Sequence, residues 1–400
     1  MNATIFPIKK AVPQIDATQN FLLCDKKADE SAKKLASYIF AIPTSNHILF
    51  GHQNDRHCKA GERQAGFCES DVEDLCDEAA AVMGIDALSL TGDELGKPDW
   101  KKEKRIESAV LLSQKAFEDG SVLTLSAHMP NFSIVLEKGG ADYSGYSPNV
   151  LSGNVVQNIL KDTPIKALFD GYLDLVSDYL NALAKKNIAL IWRPFHENTG
   201  FWFWWGESSC TPDEFKALWR YTWQYMSEKK GVHNVIWAYS PGSENKSESD
   251  FLERYPGDEF VDLLGFDMYQ NYSLDASSYW EGFEEQLSLI SSIAQKRKKL
   301  FANTETGIMR PENKALLESG NEKNWYSRVA ELCLKYKASY FLLWANFGKE
   351  KSFYTPYATK RAVNEKGEIT FLSGHELIDD FIDFHNDERI LFAHETPYFK

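Results

Sequence analysis

Residues 188–205 read IALIWRPFHENTGFWFWW, and the two halves of this stretch differ in character. The first five residues are apolar, which is typical of a parallel strand that is buried on both faces. The run then changes to Arg193, His196 and Glu197, and five consecutive aromatic residues begin at Phe201. Each of these residues taken alone could belong to a capped strand whose following aromatic residues pack in the core. Arg, His and Glu together are costly to bury without a role, so the stretch as a whole predicts a strand that ends at a functional site.

Seven further apolar runs have the length of buried strands and alternate with stretches of helical spacing. These runs lie at residues 47–53, 86–91, 121–127, 234–239, 261–268, 300–305 and 339–345. Together with residues 188–192 they make eight strands, each ending in polar or aromatic residues. This alternation predicts an α/β protein with one closed parallel (β/α)8 barrel, the TIM-barrel fold, and a site at the C-terminal ends of the strands.

The helices are indicated by apolar residues on one face and by start and stop signals. They are predicted at residues 28–40, 71–83, 106–118, 171–184 and 375–385. Residues 211–214 read TPDE, a helix start with a capping Thr, Pro at the first position and Glu at the third. Residues 132–165 show no clear period and are rich in Gly, Ser, Asn and Tyr, so they predict a long, functional or mobile loop.

The chain is expected to hold a single domain, because no repeat, low-complexity tract or linker divides it. Residues 1–27 form an irregular N-terminal lead-in packed on the barrel, residues 28–386 form the catalytic barrel, and residues 387–400 form a C-terminal tail.

Composition limits the partners of the protein. The net charge of −14 argues against nucleic acid and anionic membranes as partners. Eleven Trp and eighteen Tyr exceed what packing usually requires and indicate a planar-faced ligand such as a carbohydrate. No apolar run has the length of a transmembrane helix, and residues 1–14 lack the apolar core of a signal peptide. We expect a monomer, secreted with its leader absent from this sequence rather than cytoplasmic.

The six cysteines show no pattern that fixes their chemistry. Cys58 and Cys68 bracket a Gly-containing loop and are candidates for a disulfide, whereas Cys76 falls on the apolar face of a predicted helix. No CxxC pair is present, and His52, His57 and Cys58 lack a second half for a structural zinc site. The sequence therefore predicts neither a metal nor an organic cofactor.

Two acidic residues, Glu197 and Glu305, end the fourth and seventh predicted strands. In a closed barrel these strands lie on facing arcs of one mouth, so both carboxyl groups can reach one substrate. Glycoside hydrolysis uses two carboxyl groups that flank the bond, one as a proton donor and one at the anomeric carbon. A single Glu at a strand end would more often be solvated or ion-paired, but this pair favours a glycosidase.

The segment Trp-Arg-Pro-Phe-His-Glu at residues 192–197, followed by Gly200 and Trp202, resembles glycoside hydrolase family 26, the β-mannanases. The likeness extends over most of the chain, through residues 50–53, 128–130, 265–269, 305–307 and 343–344. The resemblance implies a retaining mechanism with Glu197 as the acid/base and Glu305 as the nucleophile. It also implies that a set of residues shapes the subsite on the non-reducing side of the cleaved bond, namely His128, Trp202, Asp267, Tyr269 and Trp344. His196 is a mark of the family.

Physical chemistry agrees with these roles. Tyr269 can stabilise Glu305 as an anion by hydrogen bonding, and the faces of Trp202 and Trp344 suit the C–H side of a pyranose. We expect Arg193 to brace a carboxylate near the strand end; an ion pair inside the barrel and direct catalysis are alternatives of equal weight. Of the aromatic block, Phe203 and one of Trp204 and Trp205 are expected to pack in the core. We count Arg193 and His196 among the substrate-binding candidates.

The predicted activity is endo-cleavage of β-1,4-mannosidic bonds in mannan, glucomannan or galactomannan. The long segment at residues 132–165 leaves open an exo-acting mannobiohydrolase, and β-1,3-xylan or mixed-linkage glucan are alternative substrates. A non-catalytic carbohydrate-binding barrel would keep the aromatic residues but would not need both carboxylates. A barrel enzyme for phosphorylated sugars would need a Gly-rich phosphate site after strands seven and eight, which Gly307 and Gly348 alone do not make.

Overall fold

The computed structural model describes residues 6–60, 70–140, 142–271, 276–309, 323–348 and 354–396. Its main sheet is built from short parallel strands that are almost entirely buried. These strands are β1 (Ile48–Gln53), β2 (Val82–Asp86), β3 (Val122–Ser126), β4 (Leu190–Arg193), β5 (Val235–Tyr239), β6 (Leu263–Leu264), β7 (Asp267–Gln270), β8 (Leu300–Phe301), β9 (Asn303–Ile308) and β10 (Tyr340–Leu343).

The strands close into a ring. From β1 to β6, each strand pairs in parallel with the next one. The segments β6 and β7 are two halves of one barrel strand, and β8 and β9 are two halves of the following one. The first halves pair with each other, the second halves pair with each other, β9 pairs with β10, and β10 returns to β1. The described residues therefore form eight barrel strands, and the predicted (β/α)8 fold is confirmed.

Helices surround this ring and bury one face against it. They are α1 (Glu30–Thr44), α2 (Asp71–Cys76), α3 (Leu88–Thr91), α4 (Lys102–Glu118), α5 (Phe132–Glu137), α6 (Val155–Ile159), α7 (Pro164–Ala184), α8 (Pro212–Gln224), α9 (Glu248–Glu253), α10 (Ala276–Arg297), α11 (Trp325–Lys335) and α12 (Ile378–Asn386). A π-helical turn, Tyr225–Lys229, extends α8. The predicted start of α8 is confirmed: Thr211 and Glu214 form a reciprocal capping box, and Pro212 is the first helical residue.

The second strand was predicted in the wrong place. The helix expected at residues 71–83 ends at Cys76, β2 covers Val82–Asp86, and residues 88–91 form the short helix α3 instead of a strand. Asp77 ends α2 because its backbone is left-handed (φ 60°). The apolar residues that follow fit a helix face and a buried strand equally well, and only the pairing of β2 with β1 and β3 decides between them.

Residues 132–165 contain more regular structure than the predicted loop. The segment contains α5 and α6, and α7 begins at Pro164, seven residues before the predicted start. Asn131 starts α5, since its side-chain oxygen accepts hydrogen bonds from the backbone N–H groups of Ser133 (2.9 Å) and Ile134 (3.2 Å). Short capped helices of this kind contain too few turns to produce a detectable period.

Two β elements after β10 were not foreseen. Strands β11 (Ala358–Val363) and β12 (Ile369–Gly374) form an exposed antiparallel hairpin. Strand β13 (Ile390–Leu391) pairs in parallel with the start of β1. The polar hairpin resembles a loop in sequence, and two residues are too few for a strand signal.

No disulfide joins any two of the described cysteines, which are Cys24, Cys58, Cys76, Cys210 and Cys333. The predicted pairing of Cys58 with Cys68 cannot be compared, because Cys68 lies outside the described residues. None of the helices in the described ranges combines the length and apolar character that crossing a bilayer requires.

One buried carboxylate connects the N-terminal segment to the barrel. Asp262, just before β6, accepts hydrogen bonds from the backbone N–H of Cys24 (2.6 Å) and from that of Trp237 in β5 (3.0 Å). The Cys24 thiol lies 3.3 Å from the same carboxylate. Because these backbone N–H groups are buried, water cannot replace Asp262 as their acceptor. Without Asp262 they would lower the stability of the fold as unsatisfied buried donors.

We expect Asp262→Ala to lower the free energy of unfolding by roughly 2–4 kcal/mol, since two buried N–H groups lose their acceptor. Urea unfolding followed by tryptophan fluorescence measures this change. The control is Asp16→Ala, because Asp16 is exposed and its carboxylate accepts hydrogen bonds from the nearby Thr18. The control should stay within about 0.5 kcal/mol of the parent protein. Equal stability of the two variants would contradict the anchoring role.

Candidate active site

The structure brings all the predicted site residues together at the C-terminal ends of the barrel strands. Arg193 ends β4, His128 follows β3, Asp267 and Tyr269 belong to β7, Glu305 belongs to β9, Trp344 follows β10, and His196, Glu197 and Trp202 lie in the loop after β4. This is the face on which barrel enzymes carry their sites.

The loop after β4 holds Glu197 in an uncommon backbone conformation. Both Phe195 (φ 53°) and Glu197 (φ 51°) adopt the left-handed region, which side chains larger than Gly rarely occupy. The Glu197 N–H donates to the carbonyl oxygen of Ser240, at 2.8 Å, and so ties the loop to the end of β5. Such backbone strain persists only where the surroundings impose it, and it clusters at functional sites.

Three carboxylates converge at the centre of the site. One oxygen from each of Glu197, Asp267 and Glu305 lies within 4.8 Å of the others. Asp267 and Glu305 are buried, and they are opposite partners in the pairing of β7 with β9. Uncompensated negative charges at this separation would repel strongly, so the site needs a nearby positive charge.

Arg193 provides that charge from beneath the carboxylates. Its guanidinium is buried, donates to Asp267 at 2.7 Å, and also bonds Glu305. Burial opposes the charge on Arg193, but the two carboxylates outweigh it and raise the pKa above its ordinary value. Arg193 therefore braces the carboxylate of Glu305 through an ion pair inside the barrel. Thr304 donates to the second oxygen of Asp267 at 2.7 Å.

Glu305 is further held by Tyr269. The Tyr269 hydroxyl donates to Glu305 Oε2 at 2.6 Å, while Arg193 bonds Oε1. Donors on both oxygens favour an ionised carboxylate with a fixed orientation. Such a group is suited to attack an electrophilic carbon.

Glu197 has a contrasting environment. Burial and the negative charge of Glu305 raise the pKa of Glu197 to about 7, although a hydrogen bond from Trp202 opposes the shift. The Trp202 indole N–H donates to Glu197 Oε2 at 2.7 Å. A carboxyl group with a pKa near neutrality can give up a proton and take it back, which is the requirement for a general acid/base.

The two histidines of the site carry different charges. His128 Nδ1 lies 2.8 Å from Asp86, and although burial opposes protonation, Asp86 outweighs it and raises the pKa of His128 to about 9. His196 packs edge-on against His128, with ring centroids 4.6 Å apart. Burial and the charge on His128 lower the pKa of His196 well below its ordinary value. The pair therefore consists of one imidazolium and one neutral ring at pH 7.

The aromatic block divides into packed and accessible rings. Phe203, Trp204 and Trp205 are all buried, so both tryptophans pack in the core instead of the predicted one. Trp202 is half-buried, and Phe201 is 71% exposed at the rim. Trp344 is half-buried and its ring centroid lies 5.6 Å from that of His128. The accessible rings border the carboxylates and offer apolar faces to a ligand.

Three further residues of the site were missed by the sequence reasoning. Asp86 holds His128, Ser240 accepts from Arg193 at 3.1 Å, and the Tyr354 ring lies 5.8 Å from that of Tyr269. Placing β2 correctly would have identified Asp86 as a strand-end residue. Tyr354 lies in no recognisable sequence pattern, so it had no detectable signal. The Tyr354 ring lies where a Cβ atom at position 307 would be, so only Gly fits at that position.

The three carboxylates have the composition of a cation site, but Arg193 already supplies positive charge between Asp267 and Glu305. Tyr269 occupies the second oxygen of Glu305. The described residues thus favour direct acid–base and nucleophilic chemistry by the side chains.

The structure combines a (β/α)8 barrel with two glutamates that approach each other at the C-terminal ends of its strands, an arrangement that barrel glycosidases share. A family model described as Glycosyl hydrolase family 26 matches residues 24–354. The chain belongs to this family, and the resemblance noted in the sequence is confirmed.

Similar proteins include two curated bacterial relatives. A mannan endo-1,4-beta-mannosidase of Bifidobacterium adolescentis is 33% identical over 315 residues, which cover 75% of this chain and 30% of the relative. A protein of the same description from Bacillus subtilis strain 168 is 26% identical over 299 residues, covering 70% of this chain and 72% of the relative. The chain thus spans less than a third of the length of the first relative.

Two solved structures share the fold over nearly the whole chain. The catalytic domain of the Bacillus sp. JAMB-750 GH26 endo-beta-1,4-mannanase is 30% identical with a TM-score of 0.83, covering 97% of this chain and 98% of that one. A modular endo-beta-1,4-mannanase from Cellulomonas fimi is 28% identical with a TM-score of 0.79, and the match covers 94% of this chain and 78% of that one.

We expect Trp202→Phe to raise the pKa of Glu197 above 7 by up to about one unit, because the lost N–H donor favoured the charged carboxylate. A ¹³C NMR titration of carboxyl-labelled glutamate measures the shift, and Glu197→Gln assigns the signal. Trp344→Phe is the control, since its ring packs near His128 and gives Glu197 no hydrogen bond in the described contacts. An unchanged or lowered pKa in Trp202→Phe would contradict this assignment.

Proposed function

We propose that this chain is a retaining endo-β-1,4-mannanase that acts on mannan, glucomannan or galactomannan without a cofactor. The observation that carries the proposal is the Glu197–Glu305 pair, whose oxygens approach within 4.8 Å while their surroundings differ. Retaining glycosidases hold their carboxyl groups roughly 5–5.5 Å apart, whereas inverting enzymes need roughly 6.5–9.5 Å to admit a water molecule. The close approach supports the retaining alternative.

In the first step, an oxygen of Glu305 attacks the anomeric carbon and forms a glycosyl ester as the glycosidic C–O bond breaks. Glu197 gives its proton to the departing oxygen. In the second step Glu197, now ionised, takes a proton from water, whose oxygen attacks the same carbon and releases Glu305 as a carboxylate. Two inversions leave the product with the configuration of the substrate.

The surroundings of each group suit its part in this cycle. Arg193 and Tyr269 hold both oxygens of Glu305, so the nucleophile is anionic and oriented before substrate binds. When the glycosyl ester forms, the negative charge of Glu305 disappears and the pKa of Glu197 falls. The same residue is then a better base for the second step, because the charge that raised its pKa is gone.

Mannan as the substrate is supported by the descriptions of the curated relatives and of the solved family members. We infer that Trp202 and Trp344 stack on sugar rings and that His128, a cation beside the carboxylates, binds sugar hydroxyl groups. His196, Asp267 and Arg193 contribute from beneath by packing and ion pairing. A polysaccharide substrate is too large to enter a cell intact, which supports a secreted protein, and we propose that it acts as a monomer.

A specific feature favours short products on one side of the cleft. In the segment between α5 and α6, Ser144 and Gly145 donate hydrogen bonds to Asp93 in the loop after α3. The Asn149 side chain of the same segment donates to the carbonyl oxygen of Trp202 at 3.2 Å, so this loop borders the site. A fixed loop beside Trp202 restricts the number of sugar units that bind there. Exo-acting release of short oligosaccharides is therefore the second candidate.

Incubation with glucomannan distinguishes the two candidates. For endo action, viscosity should fall early, while few reducing ends have formed; for exo action, reducing ends and one short product should accumulate while viscosity stays high. β-1,3-Xylan and mixed-linkage glucan serve as comparison substrates, and hydrolysis should continue in chelator. Inertness on every mannan would refute the proposed function.

The two glutamates are distinguished by chemical rescue. Glu197→Ala should lower the hydrolysis of mannan about 10²–10⁴-fold, since the proton donor is lost. It should still form the glycosyl ester from an aryl β-mannobioside with a good leaving group, giving a burst of phenol. Azide needs no base, so it should restore turnover and yield the β-glycosyl azide.

Glu305→Ala is the matched variant, because it removes the nucleophile and leaves the proton donor. It should show no burst with the same aryl mannobioside. Azide can replace the missing nucleophile in Glu305→Ala by a single inverting attack, so any adduct from this variant should be the α-glycosyl azide. A β-glycosyl azide from Glu305→Ala together with an α-glycosyl azide from Glu197→Ala would show that the two roles are reversed. Product configuration by NMR separates these outcomes.

A further inference from the structure

A second polar cluster lies away from the active site, at the N-terminal end of β2. It contains Glu78 from the loop before β2, His385 from the last turn of α12, and His394 and Glu395 from the 3₁₀ turn Ala393–Glu395. An oxygen of Glu78, a ring nitrogen of His394 and an oxygen of Glu395 lie within 4.8 Å of one another. The catalytic proposal makes no use of these residues.

The hydrogen bonds around Asn386 determine which nitrogen of His385 carries a proton. The Asn386 Nδ2 group donates to the Phe6 carbonyl oxygen, and its Oδ1 accepts from the Ile8 N–H, both at 2.9 Å. The oxygen side of this amide is thereby identified, and it lies 3.1 Å from His385 Nδ1. His385 Nδ1 must therefore be the donor, so Nε2 of the neutral ring bears a lone pair.

No hydrogen-bond donor among the described residues faces this lone pair. The His385 side chain is fully buried, and its Nε2 makes no hydrogen bond within the described residues. The nearby Glu78 Oε1, at 3.7 Å, is itself an acceptor and too distant for a hydrogen bond. Two electron-rich atoms facing each other in a buried space favour a cation between them. Ligands bonded at about 2.0–2.2 Å around a tetrahedral ion lie roughly 3.4 Å apart, which is close to this separation.

The second carboxylate of the cluster, Glu395, has a hydrogen-bond partner in the described contacts on only one of its two oxygens. Glu395 Oε2 is satisfied by the Lys10 ammonium and by the Phe392 N–H, both at 2.9 Å. Its other oxygen, Oε1, is buried and makes no hydrogen bond within the described part of the chain. Glu78 and Glu395 together carry two negative charges, whereas Lys10 supplies one positive charge. His394 Nδ1 lies 2.8 Å from Glu78 Oε2, so a second ring nitrogen faces the same carboxylate.

We propose that Glu78, His385, His394 and Glu395 bind one divalent transition-metal ion of the zinc type. Two imidazoles and two carboxylates are a donor set that zinc prefers, and four protein ligands make a closed, structural site. Asn386 acts as the outer partner that orients His385. Because Asn386 also binds the backbone at Phe6 and Ile8, the ion joins the N-terminal segment, α12 and the C-terminal turn to the barrel.

The spacing of the ligands along the chain could not reveal this site, and the sequence predicted no metal. Glu78 is more than 300 residues from His385, His394 and Glu395. Because the site is remote from Glu197 and Glu305, its occupancy concerns stability, and its test is independent of the hydrolysis experiments.

The experiment begins with full-length protein stripped by chelator and titrated with ZnCl₂ in a calorimeter, with the melting temperature measured in parallel. We expect one zinc ion per chain and a melting temperature that rises with zinc and falls with chelator. Stripped protein should keep its hydrolytic activity well below its melting temperature. Failure to bind zinc, or an unchanged melting temperature, would overturn the proposal and leave an ion cluster balanced by protons.

Two variants test the ligands. His385→Gln keeps a polar side chain at this position and should weaken zinc binding about 100-fold or more. His233→Gln is the control, because His233 also pairs with a carboxylate, Asp25, at 2.6 Å but lies outside the cluster. If His385→Gln fails to fold, Glu78→Gln, which keeps the shape of its side chain, replaces it in the titration. Zinc binding of parental strength in a folded cluster variant would overturn the assignment.

Discussion

The active site depends on one buried arginine. Arg193 ends β4 and pairs with Asp267 of β7 and Glu305 of β9, so a single guanidinium joins three barrel strands beneath the substrate face. Removing one partner of such a pair leaves an uncompensated buried charge and typically costs about 3–5 kcal/mol. The same ion pairs hold the carboxylate that we propose as the nucleophile. Stability and orientation of the site therefore rest on the same contacts.

Around this centre, neighbouring groups of the same chemical type are placed in different charge states. Glu305 has a donor on each oxygen, whereas Glu197, half-buried beside that negative charge, has its pKa raised to about 7. His128 is charged because Asp86 pairs with it, while the adjacent His196 is neutral because burial and the charge on His128 disfavour a second proton. Each contrast follows from a partner that one residue has and its neighbour lacks.

Much of the fold and of the candidate site could be predicted from local patterns. The apolar run at residues 188–192 followed by Arg193, His196 and Glu197 indicated both a buried strand and its functional end. The Thr211–Glu214 capping box indicated the start of α8, since its signal lies in four consecutive residues. The errors fall where the pattern is ambiguous or short: β2 was displaced onto residues 86–91, the helices α5 and α6 were read as loop, and the β11–β12 hairpin was missed.

The sequence by itself determined the alternation of strands and helices, the identity of the strand-end residues and the resemblance to the family, because each of these depends on residues close together in the chain. Only the tertiary structure decided which charges meet. Arg193 and Glu305 are 112 positions apart, and Asp86 and His128 are 42 apart. The raised pKa of Glu197, the charge on His128 and the buried lone pair of His385 all come from such distant partners. Electrostatic energy depends on distance in space and on burial, and neither quantity can be read from the order of residues.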